Sequence, residues 1–137
     1  FKLSILGVGP LEDTLRRKIG ESGLSAKIVL CGQVENPFVY LNQADVFILP
    51  SWSEGTSRAA LEALFAGLPC ILRNVDSNEE LIQSTRQGYL FETNSELREL
   101  IENYIDTPEK TDFCRLPEEY RQNFAVKSYI KLLNQEL

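Results

Sequence analysis

The sequence contains no histidine and no methionine, and only 3 of its 137 residues are cysteine. Without histidine the chain has no Ser-His or Cys-His dyad of its own, and a zinc site would depend on scattered cysteines and carboxylates. The cysteines form no CxxC pair, and Cys31 and Cys70 stand in apolar, strand-like segments where a free thiol acts as a small hydrophobe. This cysteine usage predicts a reducing, cytoplasmic compartment.

Positive charge is also in short supply. The chain has 14 Lys and Arg against 20 Asp and Glu, a formal net charge of -6 at pH 7, and its longest run of basic residues is Arg16, Arg17 and Lys18. This balance argues against a nucleic-acid partner and against broad contact with anionic lipid. The sequence contains neither a signal peptide nor an apolar stretch of membrane-spanning length. We therefore expect a cytoplasmic location, with peripheral association at the inner face of the plasma membrane left open.

The sequence has the length and the hydrophobic content of one domain. At 137 residues, of which 43% are hydrophobic, it is long and apolar enough to bury a core. Strand-like and helical patterns alternate about five times, which predicts an α/β fold: a Rossmann-like three-layer domain with a parallel sheet. We expect this domain to span residues 1–137 and to end in a helical extension over residues 106–137. Because the chain lacks methionine and opens inside a predicted strand, we expect it to be a fragment of a longer protein.

The predicted strands are Phe1–Val8, Lys27–Cys31, Asp45–Pro50, Pro69–Leu72 and Gly88–Phe91. Five signals predict the starts of helices: Pro10, the Asn36 and Pro37 pair, Thr56 or Ser57, the Ser77 and Glu80 pair, and the Thr93 and Glu96 pair. The first helix has an apolar face of Leu11, Leu15 and Ile19, and the last has one of Leu97, Leu100, Ile101 and Tyr104. The Ser77 and Glu80 pair precedes a short helix at Glu79–Ser84. Two further helical segments, Glu118–Asn123 and Val126–Gln135, close the chain.

The stretch Ile48–Pro69 organises the rest of the chain. Its apolar strand stops at Pro50, because proline cannot continue a central ladder, and a polar loop runs on to Gly55. A helix then begins at a cap formed by Thr56 or Ser57. In an open parallel sheet, the carboxyl end of a strand facing a helix N-terminus is where anionic ligands are bound by free amides and the helix dipole.

Two carboxylates make this stretch a candidate site. Glu54 lies in the loop and Glu62 lies in the helix, eight residues later. A carboxylate accepts hydrogen bonds with two oxygens and suits the hydroxyl pairs of a ribose or a hexose, so the two residues could hold the two ends of a nucleotide sugar. The alternative is structural: Glu62 pairs with Arg58 four residues earlier, and Glu54 is a solvated loop residue.

Two other features are open to more than one interpretation. Gly7 and Gly9 suggest a dinucleotide-binding loop, but Glu12 stands where its third glycine should be, so we interpret them as tight-turn residues. Trp52 is either a stacking surface for a base or sugar or a cover for the edge of the core.

The pattern E-G-x6-E-A-x3-G-x-P resembles the E-x7-E signature of retaining glycosyltransferases of family four, which have the GT-B fold. Here it consists of Glu54, Gly55, Glu62, Ala63, Gly67 and Pro69. The flanking motifs fall in the order that the family shows: GxGP at Gly7 to Pro10, GQV at Gly32 to Val34, AD at Ala44 and Asp45, and PS at Pro50 and Ser51. The resemblance covers roughly Lys2 to Leu90.

This resemblance implies that the chain is the C-terminal, donor-binding domain of a GT-B enzyme. Carried over by position, Glu62 would hydrogen-bond the ribose hydroxyls, and Glu54 would contact the donor hexose as the catalytic carboxylate. The amides of Gly55, Thr56 and Ser57 would face the sugar and diphosphate.

The loop Gly32, Gln33 and Val34 would present backbone groups to the base, as a weaker assignment beside an ordinary βα connection. The family also implies transfer of a hexose to an acceptor hydroxyl with retention at the anomeric carbon, in cell-surface polysaccharide or glycolipid synthesis. The donor would be a UDP-sugar rather than a GDP-sugar, with no cofactor and no metal ion. The acceptor would be a saccharide or a lipid-linked saccharide, bound with the help of an N-terminal domain of the same protein that this chain lacks.

The sequence also departs from the family. Thr56 and Ser57 stand where an aromatic residue and a glycine are common, and Arg58 is an unusual residue that would supply one positive charge. The basic residues that neutralise the diphosphate lie upstream of Phe1 in the family, so we expect the 137 residues alone to be inactive. Steady turnover by this fragment would contradict that expectation. The alternative function is a non-catalytic Rossmann-like binding or interaction module, or half of a nucleotide-sugar epimerase.

Overall fold

The computed structural model describes residues 1–55, 57–75, 78–82 and 87–106, in which strands alternate with helices. The elements in chain order are β1 (Leu3–Leu6), α1 (Glu12–Glu21), β2 (Ile28–Gly32), α2 (Phe38–Leu41), β3 (Phe47–Leu49), α3 (Arg58–Phe65), β4 (Cys70–Arg73), α4 (Asn78–Leu81), β5 (Gly88–Phe91) and α5 (Asn94–Asp106). The strands pair in parallel, which confirms the predicted α/β class. The chain divides into two compact units, a first unit of Phe1–Gln43 and a second unit from Ala44 onward.

In the first unit, β1 pairs with β2 in a two-stranded parallel sheet, with Leu3 opposite Ile28 and Ile5 opposite Leu30. α1 packs against β2. The prediction of a buried strand over Phe1–Val8 is wrong in length and in burial, because β1 has four residues and Ile5 alone among them is half-buried. A sheet of two strands has no central strand, so neither strand is shielded by hydrogen-bonded neighbours on both sides.

The loops of the first unit agree with their sequence signals. Gly7 follows β1 at φ +114°, a conformation that favours glycine, and its N–H donates to the carbonyl of Gly32 at 2.7 Å. Gly7 thus forms an isolated bridge to Gly32, and the predicted turn begins at Gly9, whose carbonyl accepts from the N–H of Glu12 at 3.1 Å. Asn36 Oδ1 accepts a hydrogen bond from the N–H of Phe38 at 3.0 Å, and Pro37 stands directly before α2. This confirms the Asn-Pro start signal of that helix.

The second unit has a three-stranded parallel sheet in the order β3-β4-β5. α3 packs against β3 and β4, and α5 packs against β5. β4 is the central strand, and all four of its residues are buried. Among the described residues of this unit, the buried apolar side chains are Ala60, Ala63, Leu64, Leu68, Cys70, Ile71, Leu72 and Phe91. Burial raises the pKa of the Cys70 thiol to about 12, so this residue acts as the small hydrophobe that the sequence predicts.

Both ends of α3 follow from local sequence. Ser57 is the N-cap, and its Oγ accepts a hydrogen bond from the N–H of Ala60 at 3.3 Å. At the other end Gly67 adopts φ +82°, and its N–H donates to the carbonyl of Leu64 at 3.0 Å. The N–H of the next residue, Leu68, reaches back to Ala63, which completes a Schellman motif. The predicted cap and stop signal are therefore confirmed.

α5 begins with the predicted capping box. The N–H of Glu96 donates to Thr93 Oγ1 at 3.2 Å, and the Glu96 carboxylate accepts from the N–H of Glu92 at 2.8 Å. The hydrogen bond from the Glu92 backbone is the main cause that holds the pKa of Glu96 below its ordinary value.

The remainder of α5 packs through the predicted apolar face. Its half-buried residues are Leu97, Leu100, Ile101 and Tyr104. Tyr104 Oη donates to the carbonyl of Asp45 at 2.9 Å, and burial, followed by the Asp45 charge, raises the pKa of that phenol. The predicted helices Glu118–Asn123 and Val126–Gln135 lie outside the described residues, as does Ser77. No helix in the described part of the chain has the length and apolar character that a membrane crossing requires.

Candidate functional site

Three strand ends of the second unit meet at one edge of its sheet. Because β3, β4 and β5 are parallel neighbours, their carboxyl ends lie side by side. The loop Pro50–Gly55 follows β3, Asn74 follows β4, and Glu92 follows β5. We call this region the carboxyl edge. It is the position at which open parallel sheets bind their ligands.

The predicted site residues in the loop and helix lie together at this edge. Glu54 is half-buried and Gly55 is exposed in the loop, while Thr56 lies outside the described residues. Ser57 is buried and its hydroxyl is engaged in capping α3. The Ser57 side chain therefore serves the helix, and a ligand at this position would meet backbone groups at the start of α3.

Glu62 and Arg58 both lie on α3, one turn apart. Arg58 is the first residue of the helix and is exposed, whereas Glu62 is half-buried. Exposed ion pairs do form at this spacing in the chain, between Glu12 and Arg16 at 2.8 Å for example. Among the described residues Glu62 has no such partner, and the structural alternative of an ion pair with Arg58 is not realised.

The three weaker candidates lie in the first unit. Gly32 ends β2 at φ +68° and accepts the hydrogen bond from Gly7, Gln33 is exposed, and Val34 is half-buried. The structure thus places Gln33 and Val34 directly after β2, as predicted, whereas Gly32 is the last residue of the strand itself.

The sequence interpretation missed a buried arginine at the carboxyl edge. Arg73 is the last residue of β4 and is only 3% exposed. Its Nε donates to the carbonyl of Pro50 at 3.2 Å, its Nη1 to the carbonyl of Glu92 at 2.7 Å, and its Nη2 to Asn94 Oδ1 at 3.2 Å. Arg73 therefore connects the carboxyl ends of all three strands. The available signal was a basic residue closing the apolar run Cys70–Leu72, which the predicted strand end at Leu72 left out.

Two aromatic rings complete the surroundings of this guanidinium. Arg73 Cζ lies 3.7 Å from the centroid of the Trp52 ring and 4.8 Å from that of Phe91. Trp52 remains 76% exposed, so its ring contacts the guanidinium while much of its surface faces solvent. Of the two interpretations of Trp52, the structure supports a cover over the edge of the core, and the exposed surface leaves the stacking role available.

The positive charge of Arg73 is surrounded by backbone carbonyl groups, the Asn94 amide and two aromatic rings. No carboxylate among the described residues lies within ion-pair distance of it. Asn78 is also fully buried here; its Nδ2 donates to the Arg73 carbonyl at 2.9 Å, and its Oδ1 accepts no hydrogen bond from the described residues. A buried polar group without a partner is uncommon. The carboxyl edge is thus polar inside as well as at its surface.

Comparison with known proteins assigns this architecture to a family. The family described as glycosyl transferases group 1 matches residues 1–107. An Escherichia coli enzyme named UDP-Gal:alpha-D-GlcNAc-diphosphoundecaprenol alpha-1,3-galactosyltransferase is 36% identical over 91 residues, which cover 66% of this chain and 24% of the enzyme. The GtfA subunit of a Streptococcus gordonii UDP-N-acetylglucosamine–peptide N-acetylglucosaminyltransferase is 35% identical and matches 68% of this chain and 18% of its own length. The chain thus spans about a quarter or less of these relatives.

Solved structures show the same fold. Anabaena HepE in complex with UDP superposes with a TM-score of 0.77 at 18% identity, over 99% of this chain and 41% of HepE. The pneumococcal O-GlcNAc transferase GtfA, in complex with UDP and GlcNAc, superposes with a TM-score of 0.65 at 25% identity, over 94% of this chain and 25% of GtfA. The suspected resemblance to a GT-B glycosyltransferase domain is therefore confirmed, and the chain belongs to the glycosyl transferases group 1 family.

Proposed function

We propose that this chain is the donor-binding half of a retaining glycosyltransferase, which transfers a hexose from a nucleotide sugar to an acceptor hydroxyl. The observation that supports this most directly is the carboxylate of Glu62. It is half-buried on α3, the helix that begins at the end of the loop after β3, and has no ion-pair partner among the described residues. A partly buried carboxylate is expected to have a hydrogen-bonding partner, and the hydroxyl pair of a ribose is a suitable one.

Each part of the donor is assigned to a different group at this edge. Glu62 binds the ribose and Glu54 binds the hexose. The amides of Gly55 and Ser57 face the diphosphate at the N-terminus of α3, where the helix dipole favours negative charge. These amides stabilise the negative charge that builds on the diphosphate as it leaves. The third predicted contact, Thr56, lies outside the described residues.

A second set of groups completes the donor site. The exposed side chain of Arg58 adds a positive charge beside the diphosphate. Contact of Gly32, Gln33 and Val34 with the base stays a weaker prediction from the sequence. The proposed scheme uses no metal ion.

The nucleotide is proposed to be UDP. The names of the E. coli and S. gordonii relatives specify UDP-linked sugars, and HepE and pneumococcal GtfA were solved with UDP. The acceptor is proposed to be a saccharide or a lipid-linked saccharide, because named relatives include an amylovoran biosynthesis glycosyltransferase and an alpha-monoglucosyldiacylglycerol synthase. An N-terminal domain of the full-length protein would supply the acceptor-side groups. Acceptors of this kind would place the protein in the cytoplasm or at the inner face of the plasma membrane.

The test is calorimetric titration of the full-length protein with UDP and with GDP, repeated on Glu62→Ala. Loss of hydrogen bonds to a charged group is expected to weaken UDP binding by about tenfold or more. Glu99→Ala removes an exposed carboxylate from α5 and is the matched control, for which we expect an unchanged dissociation constant.

Equal UDP affinity in the wild-type protein and in Glu62→Ala would contradict the ribose assignment. Tighter binding of GDP than of UDP would contradict the choice of base. Absence of saturable binding of either nucleotide to the full-length protein would overturn the proposed function.

A further inference from the structure

Arg73 contacts the loop of the candidate site at two points. Its Nε donates to the carbonyl of Pro50, the first residue of the loop, at 3.2 Å. Its guanidinium carbon lies 3.7 Å from the centroid of the Trp52 ring, two residues further on. Glu54 follows after another two residues. One buried side chain therefore holds the segment that leads directly to Glu54.

The same guanidinium is fixed from the opposite side by the end of β5. Nη1 donates to the carbonyl of Glu92 at 2.7 Å, and Nη2 donates to Asn94 Oδ1 at 3.2 Å. A guanidinium is a planar fork, so its donors cannot be redirected one at a time, and a change at one contact is passed to the others. The position of the loop after β3 is thus tied to the frame formed by β4 and β5.

We propose that Arg73 is a positioning residue, which sets the place of Glu54 against the donor hexose through its contacts with Pro50 and Trp52. This inference rests on the proposed function, in which Glu54 binds the sugar. Arg73 is 3% exposed, and its contacts with Pro50 and Trp52 are the route by which we expect it to affect binding.

The proposed role of Arg73 predicts different effects on the two ends of the donor. The contacts of Arg73 reach the loop before Glu54, whereas Glu62 is held by α3, whose cap is Ser57. Loosening the loop should therefore weaken the recognition of the hexose and leave recognition of the ribose intact. A purely structural role of Arg73 would weaken both equally or lower the stability alone.

The experiment measures the dissociation constants of UDP and of a panel of UDP-hexoses for the full-length protein. Its readout is the gain in affinity that the hexose adds to UDP. The Glu54→Gln variant shows how much of this extra affinity is lost when the sugar contact itself is removed. We expect Arg73→Gln to reduce the gain by about tenfold and Trp52→Ala by about threefold, with the UDP constant within about twofold of wild type. Trp52→Phe keeps a ring over the guanidinium and should stay close to wild type.

The controls separate this inference from the proposed function. Phe65→Ala removes an exposed aromatic side chain from the far end of α3 and should change neither constant. In the double variant Glu54→Gln with Arg73→Gln, no further loss is expected beyond Glu54→Gln, because both act through the same contact. If Arg73→Gln fails to fold, Asn94→Ala, which removes the acceptor of Arg73 Nη2 and leaves Trp52 intact, provides the same test.

A loss of the hexose gain in Glu54→Gln but not in Arg73→Gln or Trp52→Ala would overturn the positioning role alone. An equal loss of UDP and UDP-hexose binding in the Arg73 and Trp52 variants would also overturn it. An unchanged hexose gain in Glu54→Gln would overturn the assignment of Glu54 to the sugar, and the inference with it.

Discussion

In the second unit every residue of β4 is buried, whereas in the first unit no residue of β1 or β2 is fully buried. Both units pair their strands in parallel, and helices pack against both sheets. Among the described residues the two sheets differ in their number of strands, three against two. A third strand creates a central strand, β4, which is paired on both sides and packs against α3.

This comparison indicates where the chain gains most of its stability. Burial of apolar side chains contributes most of the free energy of folding, at about 25 cal/mol per Å² of apolar surface. The buried side chains of the second unit therefore stabilise the frame on which Glu54 and Glu62 stand. In the first unit, all of which the structure describes, Leu41 is the one fully buried residue.

The largest change in the free energy of unfolding is expected at Gly88. It has φ +139°, and a Cβ added there would lie 1.8 Å from the backbone oxygen of Cys70 in the neighbouring strand. We expect Gly88→Ala to lower the free energy of unfolding by about 4 kcal/mol or to prevent folding, because strain and overlap add. Chemical denaturation measures this.

The matched control in the first unit is Gly20→Ala on α1, where an added Cβ meets no atom within 4 Å. This change should stabilise the protein by about 0.5 to 1 kcal/mol, since alanine favours helix over glycine. Similar stabilities for Gly88→Ala and the wild type would refute the tight approach of β5 to β4.

A smaller effect is expected from truncating matched leucines. Leu72 on β4 is completely buried, and Leu3 on β1 is 36% exposed. Leu72→Ala should cost about 3 kcal/mol, through lost burial and the cavity that remains, and Leu3→Ala less than about 1 kcal/mol. Denaturant midpoints of the two variants give the difference. Equal losses in the free energy of unfolding would mean that the two sheets are buried alike, which would contradict the difference between the two units.

The smallest effect concerns the two cysteines on strands, the buried Cys70 and the half-buried Cys31. Burial raises the pKa of Cys70 to about 12 in the folded state, whereas an unfolded cysteine has a pKa of about 8.5. The folded state therefore keeps this proton at a pH where the unfolded state loses it. The contribution of Cys70 to stability is complete below the unfolded pKa and is lost as the pH rises toward the folded one.

We expect the wild type to lose about 2 kcal/mol more than Cys70→Ala between about pH 8 and pH 10, because alanine has no proton to release. The measurement is denaturant unfolding of both proteins across that range. Cys31→Ala is the control. Parallel pH profiles of the wild type and Cys70→Ala would show that the thiol is not shielded.

Local patterns in the sequence predicted most of the secondary structure. The Ser57 cap, the Gly67 stop and the Thr93 and Glu96 box each depend on residues within one helical turn, and the structure confirms all three. The strand Gly88–Phe91 was predicted with its observed bounds. Burial was less predictable, as the exposed ends of β1 demonstrate, because exposure depends on which elements cover a strand and not on its own composition.

The candidate site also has one part that local sequence predicts and another part that it does not. Local sequence is enough to place Glu54 in a loop and Glu62 in the following helix, because that spacing is short and the start of the helix is encoded nearby. The position of Arg73 at the same edge depends on the tertiary fold. Its partners Pro50 and Glu92 lie 23 and 19 residues away in the chain. Contacts over such separations arise when parallel strands align their carboxyl ends, which depends on pairing across the whole sheet rather than on any single stretch of sequence.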